Sequence, residues 1–353
     1  MRHIELAPRA EGLSAYDRRH FLQVFAMAAG ALGMGAGAAG AATSRQAAGA
    51  SSRTVSDGGT IVVTTPRGNI GSQLLEHLLP GSAHIRVIDR DPGRLPKHVL
   101  ERVEVVQGSH SEASVVDQAF KGADTVFWVC PPDRRADSVE QAYLGFTRPA
   151  SEVIRRHGVQ RVISVSALGR GTPLEKRAGY VTASLAMGDL LASTGAQFRE
   201  LVCPSFMDNL LRQVGPIRNQ GVFFLPIAGD RKLPTCATRD IAAVAARLLQ
   251  DRSWTGRDSV AVLGPEDLSF NEMAQIMSDV LGKPVRYQQI SLQDFKANLL
   301  NGGMSEAMAE AMAEMMAAKD QGLDNAEPRT PESTTPTTFR QWCEEELKPA
   351  VLS

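Results

Sequence analysis

Residues 60–71 read Thr-Ile-Val-Val-Thr-Thr-Pro-Arg-Gly-Asn-Ile-Gly, an unbroken apolar run that leads straight into a glycine-bearing turn. Ile61, Val62 and Val63 have no polar residue between them, as a parallel strand covered on both faces requires. Gly68 and Gly71, three residues apart, let the backbone pass close to a pyrophosphate, and a helix from Asn69 to about Leu79 aims its free N–H groups at that charge. Thr64, Arg67, Gly68, Asn69, Ile70 and Gly71 are therefore the expected seat of a dinucleotide. A full fingerprint carries three glycines, and Thr65 stands where the first belongs. The same glycines would also serve a plain strand-turn-helix crossover, and it is their surroundings that favour the nucleotide.

A second strand, Ile85 to Ile88, ends at Asp89 and Arg90, roughly 20 residues beyond the glycines, where a ribose reader belongs. Arg67 and Arg90 offer planar, bidentate donors suited to a 2′-phosphate, which favours NADP as cofactor. Asp89 leaves NAD open, since a carboxylate there can hold a ribose hydroxyl instead.

At 353 residues the chain is long enough to bury a sizeable core. Its charge is balanced, with 38 Lys+Arg against 39 Asp+Glu, so no field favours nucleic acid or an acidic membrane surface. The cysteines, Cys130, Cys203, Cys236 and Cys343, form no C-x-x-C pair, which argues against a zinc site and a disulfide scaffold; no metal is expected. Cys130 lies in an apolar run and reads as core.

Residues 1–44 are a different material. Asp17-Arg18-Arg19-His20-Phe21-Leu22 opens an Ala/Gly-rich apolar run to Ala42, which resembles a twin-arginine export signal, with an exported location as its consequence. A low-complexity tail, an uncleaved anchor and a cytoplasmic location are the alternatives; the glycines disfavour a stable membrane span. Residues 45–59 read as a polar linker.

Beyond the linker, strands at Val103–Val106, Thr125–Val129, Arg161–Ser166 and Phe198–Val202 alternate with helices near Ser111–Lys121, Ser138–His157 and Leu185–Thr194. That alternation predicts an α/β fold with a doubly wound parallel sheet over residues 60–204, and its ligands lie beyond the carboxyl ends of the strands. Residues 205–353 read as a smaller C-terminal α+β lobe on the substrate side. It is expected to hold a helix Asp240–Leu249 capped by Thr238, a strand Val260–Leu263, a helix opened by the capping box Ser269–Glu272, a strand Val285–Ile290 and a helix capped by Ser291. Met308, Met312, Met315 and Met316 mark one face of a helix from Ser305, either as packing filler or as a flexible wall for flat substrates. Lys319–Thr335 reads as a polar loop, and Thr338–Leu347 as a docking helix that buries Phe339 and Trp342.

In order, T-T-P-R-G-N-I-G at Thr64–Gly71, R-V-I-D-R-D-P at Arg86–Pro92, V-E-V-V-Q-G at Val103–Gly108 and A-D-T-V-F-W-V at Ala123–Val129 are followed by R-V-I-S-V-S-A-L-G at Arg161–Gly169 and P-S-F-M-D-N-L-L at Pro204–Leu211. With G-P-E-D-L-S at Gly264–Ser269 and T-T-F-R-Q-W at Thr337–Trp342, this series resembles the NmrA-like family of atypical short-chain dehydrogenases/reductases from Thr60 to the end. The resemblance implies a Rossmann-like domain that binds NAD(P), with Gly68, Asn69, Ile70 and Gly71 on the pyrophosphate, Arg90 on the adenosine phosphate, and Pro131 and Ser166 toward the nicotinamide. Thr65 in place of a glycine, Ser109 in place of an aspartate and Cys203 in place of an arginine depart from the family pattern.

Reductases of the wider superfamily use a tyrosine acid with a lysine one helical turn later. Tyr180 is the nearest catalytic candidate, but its fourth neighbour is Ser184, so a structural role is favoured for it. Two functions follow. One is an oxidoreductase that passes hydride from NADPH to a quinone or similar small acceptor reactive enough to need little acid help. The other is a non-catalytic NAD(P) sensor that reports to a protein partner. In either case Gly68→Asp, which sets a carboxylate against the pyrophosphate, is expected to abolish the rise in melting temperature that NADPH gives the parent protein. An undiminished rise would move the cofactor elsewhere.

Overall fold

In the computed structural model, which describes residues 59–353, strand β1 (Thr60–Thr64) lies inside a seven-stranded sheet with both faces covered. Its side chains alternate between two apolar cores. Ile61 and Val63 join Leu74, Leu75 and Leu78 of the helix Asn69–Leu78 and Ile241 and Ala245 of the helix Thr238–Gln250. Val62 faces the other way, with Val116, Phe120, Val153 and Ile154 from the helices Ala113–Phe120 and Phe146–His157. The unbroken apolar run is thus the price of having helices on both sides.

With β2 (His84–Asp89), β3 (Val103–Gln107), β4 (Thr125–Trp128), β5 (Arg161–Ala167) and β6 (Gln197–Cys203), the sheet runs β3-β2-β1-β4-β5-β6. Every neighbouring pair is parallel. The order reverses between β1 and β4, so a crevice opens there beyond the strand ends. The expected doubly wound α/β architecture is therefore present.

Two expectations need correction. The strand expected at Val260–Leu263 in the C-terminal lobe is β10 (Arg257–Ala261), which pairs parallel with β6 as the far edge of the large sheet. Thr238 does not cap its helix. Ala237 takes the cap position without a side-chain bond, while the Thr238 hydroxyl donates to Asp208 at 2.8 Å. Both depend on partners distant in sequence. The helix expected from Leu185 also starts earlier, at Tyr180.

The rest of the C-terminal region forms two small sheets. One holds β7 (Ser205–Phe206), β9 (Leu233–Cys236) and β11 (Asp267–Leu268), and the other holds β8 (Val222–Leu225) and β12 (Arg286–Gln289). The Ser269–Glu272 capping box forms in full, and Ser291 and Ser305 cap the helices Leu292–Asn301 and Glu306–Asp320. On that last helix Met308 and Met316 are buried, and Met312 and Met315 pack against the same core. Phe339 and Trp342 are buried as expected. The stretch 319–335 is less loop-like than its polarity implies: Lys319 and Asp324 form a buried ion pair, and Leu323 is covered. The export-signal reading at 1–44 and all but the last residue of the linker lie outside the described residues. Among the described residues no helix is long and apolar enough to cross a membrane.

The turn after β1 is closely packed. Thr65 holds a left-handed φ of 52°, rare for a β-branched residue, and its carbonyl accepts the Gly68 N–H at 2.9 Å. A Cβ on Gly71 would lie 2.1 Å from that carbonyl oxygen, whereas one on Gly68 would lie 3.3 Å away. Gly71→Ala is expected to destabilise the fold by about 1–3 kcal/mol, and Gly68→Ala by less than about 1 kcal/mol, in urea unfolding. Equal losses would show that the helix start is not pressed on the turn as described.

Candidate dinucleotide and acceptor site

The helix Asn69–Leu78 begins on Gly68 with no side chain capping it and no acidic residue in its first turn. Gly68 and Asn69 are exposed, so the N-terminal N–H groups face the crevice uncovered. Thr64 is placed differently from the other predicted turn residues. Its hydroxyl donates to Phe127 O at 3.0 Å and accepts the Val129 N–H at 2.9 Å, which ties β1 to β4 at the crevice floor and leaves only its backbone at the rim. Ile70 and Gly71 are buried against the turn and contribute backbone alone.

At the end of β2, Arg67 Nε donates to Asp89 Oδ2 at 2.8 Å, and Asp89 Oδ1 accepts the Asp91 N–H at 2.7 Å. Both carboxylate oxygens are thus engaged by the protein itself. Arg90 beside it is exposed, and among the described residues its guanidinium has no partner. The uncapped helix start, the side-chain-free Gly68 and this pair of cations fit a dinucleotide with a phosphate near its adenosine ribose.

His110, just past β3, carries no local sequence signal of its own. It is buried with Nε2 3.0 Å from Val129 O, and its ring meets Trp128 and Phe146 edge-on at 5.1 and 4.7 Å. Burial pushes its pKa down to about 4; the Val129 carbonyl opposes this and the Arg90 charge assists it.

On the other side of the crevice, Pro131 is exposed on the loop after β4. Ser166, near the end of β5, is buried with its hydroxyl 3.2 Å from that of Ser184, the residue in the place of a superfamily lysine. Behind them Glu200 is buried in space that Gly188 leaves open, and Arg170 holds one of its oxygens at 3.1 Å. Burial, partly offset by Arg170 and Ser166, raises the Glu200 pKa. No local sequence pattern announces this group, because its members come from β5, β6 and the helix Tyr180–Ala192.

Tyr180 points its hydroxyl at Met304 Sδ, 4.0 Å away, and meets the Tyr143 ring edge-on at 5.9 Å. Burial pushes its phenol up to about 12, against the charges of Arg134 and Arg212. Among the described residues no cation contacts it as the missing lysine would, so it stays protonated near neutral pH. Cys130 is core: its thiol donates to Ala142 O at 3.4 Å, and burial pushes its pKa up to about 12. Among the described residues no group of His, Cys, Asp and Glu could hold a metal ion. A groove bordered by Gly158, Gln160 and Gly195 opens at the amino ends of β5 and β6, the end of a parallel sheet opposite to where dinucleotides bind.

A sheet of this order with an uncapped, glycine-led helix at its crevice defines a nucleotide-binding Rossmann protein. The family model for NAD(P)H-binding proteins matches residues 67–252, more than half of the chain, and that for the NmrA-like family matches residues 196–343. The chain belongs to the NAD(P)H-binding family, and its C-terminal part is similar to the NmrA-like family. It is 29% identical over 258 residues to an NAD(P)H azoreductase of Xenophilus azovorans, covering 70% of this chain and 82% of that protein. It is 22% identical over 250 residues to quinone oxidoreductase 2 of Escherichia coli K12, covering 70% and 83% of the two chains. In fold it resembles the Citrobacter triphenylmethane reductase solved with NADP(H), with a TM-score of 0.63 at 19% identity, over 83% of this chain and 99% of that one.

The His110 environment has a pH signature. A group whose pKa falls from 6.5 unfolded to about 4 folded stabilises fully above 6.5, and its contribution is lost as pH falls toward 4. His110→Gln keeps an N–H donor for Val129 without the titration. The parent is expected to lose stability relative to this variant, by on the order of 3 kcal/mol, between pH 7 and pH 4 in denaturant unfolding. Parallel pH profiles would mean that His110 protonates as easily folded as unfolded.

Proposed function

We propose that the protein is an NADPH-dependent reductase that passes hydride to a quinone or a similar small electron acceptor. In this reading the N–H groups of Asn69, Ile70 and Gly71 hold the pyrophosphate, Gly68, whose own N–H is bound to Thr65 O, lets it approach by lacking a side chain, and Arg67 and Arg90 hold the 2′-phosphate. Pro131 and Ser166 border the nicotinamide half, and Thr64 acts through its backbone. The engagement of Asp89 by Arg67 supports NADP over NAD, because it turns the potential ribose-hydroxyl acceptor into a brace for a phosphate-binding cation.

The observation that carries the choice of acceptor is Ser184. It stands where an acid-activating lysine would be and hydrogen-bonds Ser166 instead, so the site offers no tuned proton donor. Bound NADPH supplies a hydride. A quinone that takes the hydride becomes a hydroquinone anion, a stable phenolate that collects one proton from water, so that NADPH, quinone and a proton give NADP+ and hydroquinone. A simple ketone would instead become an alkoxide and need an acid. The activities for which the azoreductase and quinone oxidoreductase relatives are named are of the same kind.

Purified protein is expected to oxidise NADPH with quinones and to leave simple ketones untouched, read from the absorbance of the reduced nicotinamide. Its kcat/KM with NADPH is expected to exceed that with NADH by at least about tenfold, a margin that Arg90→Ala removes. Tight NADPH binding without turnover on any quinone would select the sensor, with a protein partner as its output.

A further inference from the structure

Two arginines lie beyond the carboxyl ends of β4 and β6 and, among the described residues, pair with no carboxylate. Arg134 lies on the loop after β4, and Arg212 lies in the segment Met207–Gln213 that follows β6 and β7. Tyr180 opens the helix after β5, the strand between β4 and β6, so three adjacent strand ends bring these residues together.

Both backbones are pinned. Arg134 O accepts the Ser305 N–H at 3.0 Å, and Ala136 O accepts the Ser305 hydroxyl at 2.6 Å. The Arg212 segment is held at one end by Asp208, which accepts the Thr238 N–H and hydroxyl at 3.0 and 2.8 Å. At its other end the Gln213 amide exchanges two hydrogen bonds with the Phe224 backbone, at 3.1 and 2.8 Å. The charged heads, in contrast, are free: among the described residues neither guanidinium makes a hydrogen bond or ion pair. An Arg134 Nη2 lies 3.6 Å from where a Cβ on Gly302 would sit, two residues from the Met304 sulfur that meets the Tyr180 hydroxyl. Each arginine also acts electrostatically on Tyr180, and Arg134 acts on Arg212. Arg212 is exposed, and partial desolvation together with the Arg134 charge lowers its guanidinium's pKa. Two like charges brought together by fixed backbones repel, and an anion between them would relieve that repulsion.

We propose that Arg134 and Arg212 form the anion-reading wall of the acceptor site and select acceptors that carry a carboxylate, sulfonate or phosphate group beside the ring that takes the hydride. The inference rests on the reductase reading of the same crevice, but the binding it requires can be measured without turnover. With protein saturated by NADP+, so that the dinucleotide seat is filled, calorimetry compares 2-naphthalenesulfonate with neutral 2-naphthol. The sulfonate is expected to bind at least about tenfold more tightly, with an advantage that shrinks as salt is raised. Arg134→Gln combined with Arg212→Gln is expected to erase that advantage, and either single variant to reduce it, with thermal melting to verify that each is folded.

Equal affinity of the parent protein for the two compounds, or an undiminished preference in the folded double variant, would overturn the proposal. So would equal kcat/KM for a quinone and its sulfonated counterpart in a parent protein that turns both over, and that result would leave the reductase reading intact. A sulfonate preference that depends on the two arginines, in a protein that oxidises no NADPH with any acceptor, would support the anion site and count against the reductase.

Discussion

The approach of Gly71 to the Thr65 carbonyl governs the carboxyl edge of the sheet. A helix can start this close behind a strand only if the intervening backbone turns through a left-handed residue and the facing helical residue has no side chain. Glycine meets the second condition at position 71, while Thr65 meets the first despite its branched side chain, at a steric cost on the order of 1 kcal/mol. The result is a helix whose first N–H groups face the crevice. Thr64 then fixes the crevice floor, since its hydroxyl bridges the ends of β1 and β4 where backbone pairing stops.

From that junction the crevice divides into two electrostatic halves. On the β2 side Asp89 is neutralised by Arg67, which leaves Arg90 as open positive charge among the described residues. On the β4–β6 side the proton chemistry of a conventional reductase is dismantled. Tyr180 is a buried, ordinary-to-weak acid, Ser184 pairs with Ser166, and the nearby carboxylate, Glu200, is committed to Arg170. What remains there is a pair of arginines on pinned backbones that no carboxylate neutralises among the described residues. In the proposed function such a site receives an electron-poor acceptor that needs no tuned proton donor.

The features legible in the sequence are those whose cause is local. The Ser269–Glu272 box, the Ser291 and Ser305 caps, and the apolar strands each depend on residues within a few positions of one another. Thr238 misleads for the complementary reason, because a hydroxyl at a helix start resembles a cap until Asp208, thirty residues away, claims it. β10 was assigned to the C-terminal lobe because nothing in Arg257–Ala261 reveals that β6 is its partner. In the site, Gly68, Gly71 and Arg90 were readable from their spacing along one strand-turn-helix unit, whereas the His110 pocket, the Ser166–Ser184–Glu200 group and the Arg134–Arg212 pair were not.

By itself the sequence determined the alternation of strands and helices, the need to cover β1 on both faces, and a helix start able to take a pyrophosphate, since each follows from periodicity or from the absence of a side chain. Tertiary structure alone decided that Asp89 braces Arg67, that Ser184 closes on Ser166, and that two arginines 78 positions apart lie beyond the strand ends on either side of β5 with no ion pair among the described residues. Charge and proton affinity depend on distance through space, and chain separation does not encode that distance until the strands have taken their order in the sheet.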